Sequence, residues 1–326
     1  VWRGRALLAL RILLSLGVLA FVLSRVDTSG LGSIPLRGAL AGAAACLALL
    51  VTAQWLSAAR WHAAWGPGAP PLPYLFRVYM IGQFFSLFLP TSIGGDAVRA
   101  AAAARESRRP WEAVSSAVVD RMLGMAALAM YLLLGVAAAP ELTRQLEGTT
   151  RVSLPGWVPL AVAAAGLLVL FASRNRLLAR MPGLRQGVDV LVRLVRSPGR
   201  MLRAIGLALA VQAVYIGSWI AVATGLSLDL PTSFFMFAVP VVSLVAMLPL
   251  SISGIGLREG AWLVLTAPFA VEPALAVVLG LIYLFALTGL GLLGGALFAV
   301  RGTALHGAER ADVEPAIVVQ SSLQPG

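Results

Sequence analysis

Six charged residues lie within otherwise apolar stretches of this sequence, in three adjacent or nearly adjacent pairs: Asp96 with Arg99, Asp120 with Arg121, and Arg258 with Glu259. Two of the pairs end related glycine-broken motifs. The first reads Leu89-Pro-Thr-Ser-Ile-Gly-Gly-Asp-Ala-Val-Arg99, and the second reads Leu248-Pro-Leu-Ser-Ile-Ser-Gly-Ile-Gly-Leu-Arg258 followed by Glu259. Arg99 stands nine residues after Pro90, as Arg258 stands nine after Pro249. Gly94, Gly95, Gly254 and Gly256 free the backbone to turn and to present its N–H groups. A helix that restarts after such a break offers the partial positive charge of its N-terminus, a ready receptor for phosphate or carboxylate. Arg99, Arg258 and Arg121 add full positive charge. Ser92, Ser251 and Ser253, with Thr91, offer hydroxyls as ligands or caps. The chemistry these residue types suit is the binding of an anion.

Each residue also has a plainer reading. Asp96 can cap a helix and Arg99 can neutralise it at i+3, while Glu259 can complement a helix dipole and Asp120–Arg121 can belong to a structural ion pair. A set of charges inside a bilayer weighs against capping alone, because each costs at least about 2.5 to 3.5 kcal/mol at the centre of a spanning helix. We expect Asp120 to neutralise Arg99 or Arg258 when no ligand is bound, with Arg121 joining the anion site. His62, Gln83 and Trp61 read as interface or packing residues.

The surroundings of these charges are membrane-like. Of 326 residues 59% are hydrophobic and 12% charged, and the mean hydropathy is +0.89, against about a quarter charged in soluble domains. Windows of about 20 apolar residues without strand alternation predict an all-α integral membrane protein and exclude a barrel. The net charge of +11 comes entirely from arginine on the basic side, mostly between apolar spans, which is topogenic charge and not a nucleic-acid surface. Cys46 stands alone, and His62 and His306 are far apart in sequence, so no metal, cofactor or redox role is expected.

The chain divides into about six transmembrane helices and two re-entrant helical hairpins. Residues 7–23, 38–58 and 111–138 form the first three spans, with a hairpin at 74–105 whose tip is the first glycine-broken motif. Arg60, Trp61 and Trp65 mark the return of the second span to the cytoplasmic interface. Residues 157–172, 204–226 and 274–300 form the later spans, with a second hairpin at 234–267. The segment 174–203 is strongly basic and therefore cytoplasmic; Val188, Leu191, Val192 and Val195 in it have the spacing of an amphipathic surface helix. The first repeat thus covers 1–140 and the second 141–301, with 302–326 a disordered cytoplasmic tail. Three full spans separate the copies, so the second is inverted and the hairpin tips meet near the midplane. Both termini are expected on the cytoplasmic side of the inner membrane.

The stretch Gln83-Phe-Phe-Ser-Leu-Phe-Leu-Pro-Thr-Ser-Ile-Gly-Gly-Asp-Ala-Val-Arg99, the pair Asp120-Arg121, and Leu248 through Gly260 resemble the transmembrane flippase region of the lysylphosphatidylglycerol synthases and related stand-alone membrane proteins. That resemblance implies a lipid translocase with Asp96, Arg99, Asp120, Arg121, Arg258 and Glu259 at the motif positions. Full synthases continue into a large soluble acyltransferase-like domain, whereas this chain extends about 25 residues beyond its last span; lipid lysylation by this polypeptide is not expected.

The function expected is therefore movement of a phosphate-bearing head group across the cytoplasmic membrane, the cargo being a phospholipid, aminoacyl-lipid, glycolipid or polyprenyl-phosphate. No G-x-x-x-x-G-K-[ST] loop is present, so the movement runs downhill, is drawn by downstream consumption, or follows an ion gradient through Asp96, Asp120 or Glu259. The alternatives are a secondary transporter of a small anion, an intramembrane aspartyl protease using Asp96 and Asp120, and a non-catalytic partner of a glycosyltransferase or synthase. Membrane lipids are the expected partners, with a lipid-modifying enzyme or a second copy also compatible with the sequence.

Overall fold

The computed structural model describes residues 35–88, 93–138, 183–247 and 254–321, the last twenty-one through their backbone alone. The expected spans at 7–23 and 157–172 lie outside the described residues, as do Ser92, Ser251 and Ser253 and the first part of the basic segment. Nine α-helices are present among the described residues: α1 Leu36–Trp65, α2 Leu72–Phe88, α3 Ile93–Ser107, α4 Pro110–Ala138, α5 Gly183–Val195, α6 Pro198–Gly225, α7 Thr232–Met247, α8 Leu257–Thr266 and α9 Pro273–Ser321. No strand occurs among the described residues. Four helices are long and apolar enough to cross a membrane, namely α1, α4, α6 and α9 through Val300. The backbone of α9 continues as helix to Ser321, through most of the segment expected to be irregular.

The described part of α2 ends at Phe88 and that of α7 at Met247, each just before one of the two Leu-Pro motifs, and α3 and α8 begin beyond those motifs. α2 and α3 are short, at 17 and 15 residues, or roughly 26 and 22 Å at 1.5 Å per residue. Their counterparts α7 and α8 are short as well, at 16 and 10 residues. Gly254 and Gly256, with φ of 76° and 82°, turn the chain into α8; those backbone angles disfavour any side chain bearing a Cβ.

The helix contacts repeat between the two halves. α2 packs on α3 and α3 on α4, as α7 packs on α8 and α8 on α9. The first hairpin helix, α2, also lies against α9, and its counterpart α7 lies against α4. The axis of this exchange is the α1–α6 interface, the most extensive in the bundle. α1 and α6 run antiparallel: Gly38 at the start of α1 meets Gly225 at the end of α6, while Ala63 and Ala64 near the end of α1 cluster with Ala204 near the start of α6. Glycine is needed at that crossing, since a Cβ on Gly42 would stand 2.8 Å from the Ala221 carbonyl oxygen. Small residues let helices approach closely where lipid tails leave no hydrophobic gradient to drive association.

α5 carries two apolar edges. Val190 and Leu194 are buried against Ala63, Ala64, Val119 and Ala204, whereas Leu191 and Val195, from the stripe read in the sequence, remain exposed. Arg200 sits over Gly66 and donates to the Arg193 carbonyl oxygen at 2.7 Å and to Ser197 Oγ at 2.9 Å, tying the end of α1 to the α5–α6 turn.

Candidate functional site

The first-half helices α1 to α4 converge on one carboxylate. Asp120 of α4 is 0% exposed and accepts three hydrogen bonds. Arg60 Nε of α1 donates to Oδ1 at 2.7 Å, Arg99 Nη1 of α3 donates to Oδ2 at 3.1 Å, and the Tyr79 hydroxyl of α2 donates to Oδ2 as well. Charged and multiply bonded partners make such a site one of the stronger polar contacts a protein builds. Removing any one would leave an uncompensated group in a low-dielectric interior.

Arg99 is the hinge of a larger network. Its guanidinium carbon lies 4.3 Å from the centroid of the Tyr79 ring and 5.1 Å from that of Trp61, within cation–π range of both. Trp61 is itself oriented, donating Nε1–H to Ser116 Oγ at 3.0 Å. On its other side Arg99 Nε stands 3.0 Å from Asp96 Oδ1, and Asp96 Oδ2 stands 3.3 Å from Arg121 Nη1. Asp96 is on the first turn of α3, so this second carboxylate clamps α3 to α4 at the tip of the first glycine-broken motif. Gly95 permits the approach: a Cβ there would lie inside contact distance of Ser86 Oγ and the Gly82 carbonyl oxygen of α2.

The centre holds three guanidiniums, from Arg60, Arg99 and Arg121, against the two carboxylates of Asp96 and Asp120, leaving one positive charge in excess. Burial is graded across it. Asp120 is sealed, whereas the side chains of Asp96 and Arg121 are 29% and 36% exposed. The network therefore has a closed end at Asp120 and an open end at Asp96–Arg121.

Four of the residues read from the sequence, Asp96, Arg99, Asp120 and Arg121, are thus in direct contact. Asp120 does neutralise Arg99, and Asp96 pairs with Arg99 at i+3 as the capping interpretation held, while also engaging Arg121. Arg258 and Glu259 belong to a second centre, around α8 and α9. The Arg258 guanidinium carbon lies 5.5 Å from the Tyr283 ring centroid, and Tyr283 stacks on Trp219 of α6 at 3.8 Å. Glu259 is fully buried; its Oε2 accepts the Gly256 N–H at 2.6 Å, and its Oε1 has no hydrogen-bond partner among the described residues. Gly280 of α9 makes room for it, since a Cβ there would stand 3.1 Å from Glu259 Cγ. Gln54 Nε2 of α1 and the Tyr215 hydroxyl of α6, 3.4 Å apart, join the halves between these centres.

Arg60, Tyr79 and Trp61 belong to the site although the sequence reading put Arg60 and Trp61 at the interface. Arg60 is five residues inside the end of α1, roughly 7 to 8 Å along the axis, and Asp120 ten residues inside the start of α4, roughly 15 Å. The centre consequently lies toward the end of α1 and the start of α4, away from the middle of either helix. The available signal was the carboxylate of Asp120 within an apolar span, which can take more than one cation from other helices; among described residues no group of three or more His, Cys, Asp or Glu is placed to hold a metal.

Comparison with curated proteins and with solved structures returns no significant match. The family description "Lysylphosphatidylglycerol synthase TM region" matches residues 8–295, which takes in α1 to α8, α9 as far as residue 295, and every charged residue of the two centres. Together with the four apolar spanning helices, this match shows that the chain is a membrane protein belonging to the family of the lysylphosphatidylglycerol synthase transmembrane region.

Proposed function

We propose that this protein is a lipid flippase or scramblase of the cytoplasmic membrane, a transporter and not an enzyme, which moves a phosphate-bearing head group past the arginine-rich centre while the tails stay in lipid. The observation that carries this reading is the excess of guanidinium over carboxylate in a network that is part-exposed at Asp96 and Arg121. Arginine forks match phosphate oxygens geometrically and keep their charge at any accessible pH. A polar cluster inside a spanning bundle costs several kcal/mol to maintain, and ionisable residues retained at such depth generally serve transport or binding.

The fold suits the same reading. Antiparallel α1 and α6, and contacts that recur on exchange of the halves, support an inverted-topology repeat of six spans with re-entrant hairpins at α2–α3 and α7–α8. The N-terminus, the basic α5 segment and the C-terminal part of α9 are then cytoplasmic. Asp96 and Asp120 are poorly arranged for an aspartyl protease, because Arg99 stands between them and engages both; a catalytic dyad shares a proton directly between its carboxyls.

Reconstitution decides the matter. Purified protein in liposomes carrying fluorescent phosphatidylglycerol, aminoacyl-phosphatidylglycerol or a polyprenyl phosphate should accelerate dithionite- or enzyme-accessible exposure of at least one head group. No acceleration of any of them over protein-free liposomes defeats the proposal. Acceleration of a soluble anion's flux alone would assign the centre to a small-anion transporter.

A further inference from the structure

The two carboxylates of the arginine centre are bound in different ways. Asp120 is fully buried and receives directed hydrogen bonds from Arg60, Arg99 and Tyr79. Asp96 lies within ion-pair distance of Arg99 Nε and Arg121 Nη1, at 3.0 and 3.3 Å, but the Arg99 Nε–H, in a side chain 4% exposed, has no hydrogen-bond acceptor among the described residues. The short Asp96 arm, fixed three residues before Arg99 on the same helix, reaches the charge without meeting the N–H direction. A buried guanidinium N–H without an acceptor is an uncommon arrangement, and an anionic oxygen placed on its axis would satisfy it.

We infer that Asp96 stands in the place of an anionic ligand: a phosphate mono- or diester enters at the open end by displacing the Asp96 carboxylate from Arg99 and Arg121. This rests on the head-group translocation reading above and says which of its carboxylates gives way. A tetrahedral phosphate has oxygens enough to accept the Arg99 Nε–H and to meet the Arg121 fork together, which a carboxylate held by the α3 backbone does not do. Asp120 stays, holding Arg60 and Arg99 in place. The exchange replaces one anion with another, so the positive excess is never left bare, and the departing Asp96 remains on the first turn of α3, where the helix dipole favours negative charge. Asp96 thereby acts as a built-in competitor that keeps Arg99 and Arg121 from binding unrelated anions when no substrate is present.

Removing a competitor raises apparent affinity by the reciprocal of the fraction of time the site stands unblocked. The full-length protein in detergent is titrated with dihexanoyl phosphatidylglycerol, with dihexanoylglycerol as the phosphate-free control and inorganic phosphate as the free anion, binding being read by the shift in thermal unfolding. Asp96→Asn and Asp96→Ser should bind the phospholipid about tenfold more tightly than wild type if the competitor occupies the site nine-tenths of the time, while Asp120→Asn should show no gain. Adding Arg121→Ala to either Asp96 variant should abolish the gain. Equal or weaker binding by both Asp96 variants, with wild type still binding the phospholipid, overturns the displacement and leaves the anion site standing. Binding by neither wild type nor variants, to phospholipid or phosphate, overturns both readings. A gain confined to inorganic phosphate overturns the lipid assignment and supports a soluble anion.

Discussion

Arg60 and Asp120 are sixty residues apart in sequence and 2.7 Å apart in the structure, one on α1 and the other on α4, both inside helices long enough to cross a membrane. The pair fixes the relative height of these helices and gives Arg99 its anchor. Breaking a buried pair by deleting one member commonly costs about 3 to 5 kcal/mol, more than replacing both with apolar groups. Asp120→Leu should therefore lower unfolding free energy by roughly 3 kcal/mol in detergent, and Arg60→Met/Asp120→Leu should lose less than the two single losses added. Additive losses would show that the two side chains do not interact energetically.

Arg121 is separable from stability. Its pair with Asp96 is part-exposed at both ends, and exposed ion pairs contribute only about 0 to 1 kcal/mol. Arg121→Ala should leave the unfolding temperature close to wild type while lowering phospholipid translocation at least about tenfold, the effect of losing roughly 1.4 kcal/mol of ligand interaction. Equal losses of stability and transport would assign Arg121 to structure alone.

Gly95 is a spacing requirement between the hairpin arms. A Cβ there meets the α2 backbone, and in the reverse direction a Cβ on Gly82 would stand 3.0 Å from the Gly95 carbonyl oxygen. Gly95→Ala should push α3 from α2, costing about 1 to 3 kcal/mol as overpacking does, and should shift Arg99 out of reach of Asp120. Gly199→Ala is the control, since a Cβ there meets nothing within 4 Å. Comparable melting of the two variants would refute the spacing argument.

Trp61 acts through orientation as well as bulk. Its N–H to Ser116 Oγ turns the indole toward Arg99, and such a neutral hydrogen bond is worth about 1 kcal/mol. Trp61→Phe and Ser116→Ala should each lower stability by about that amount, and their combination should cost less than the two together. A double-mutant cycle with zero coupling would remove the bond from the account.

The sequence by itself determined the class of the protein, the break points and the identity of the charged residues. Apolar length, arginine placement and Pro–Gly interruptions are local properties, and they specify spans and broken helices without reference to neighbours. Asp96 with Arg99, and Asp120 with Arg121, were legible because a charge in an apolar window has no local explanation. The tertiary structure alone decided the pairing. Arg60 looked like an interfacial positive charge because its own helix gives no indication of which face is covered, and Tyr79 and Trp61 look like ordinary apolar-span aromatics. Only the packing of α1, α2 and α3 around α4 turns these side chains toward one carboxylate. The same packing separates a sealed Asp120 from an open Asp96, a difference in solvent access and hydrogen-bond direction that residue type and spacing do not encode.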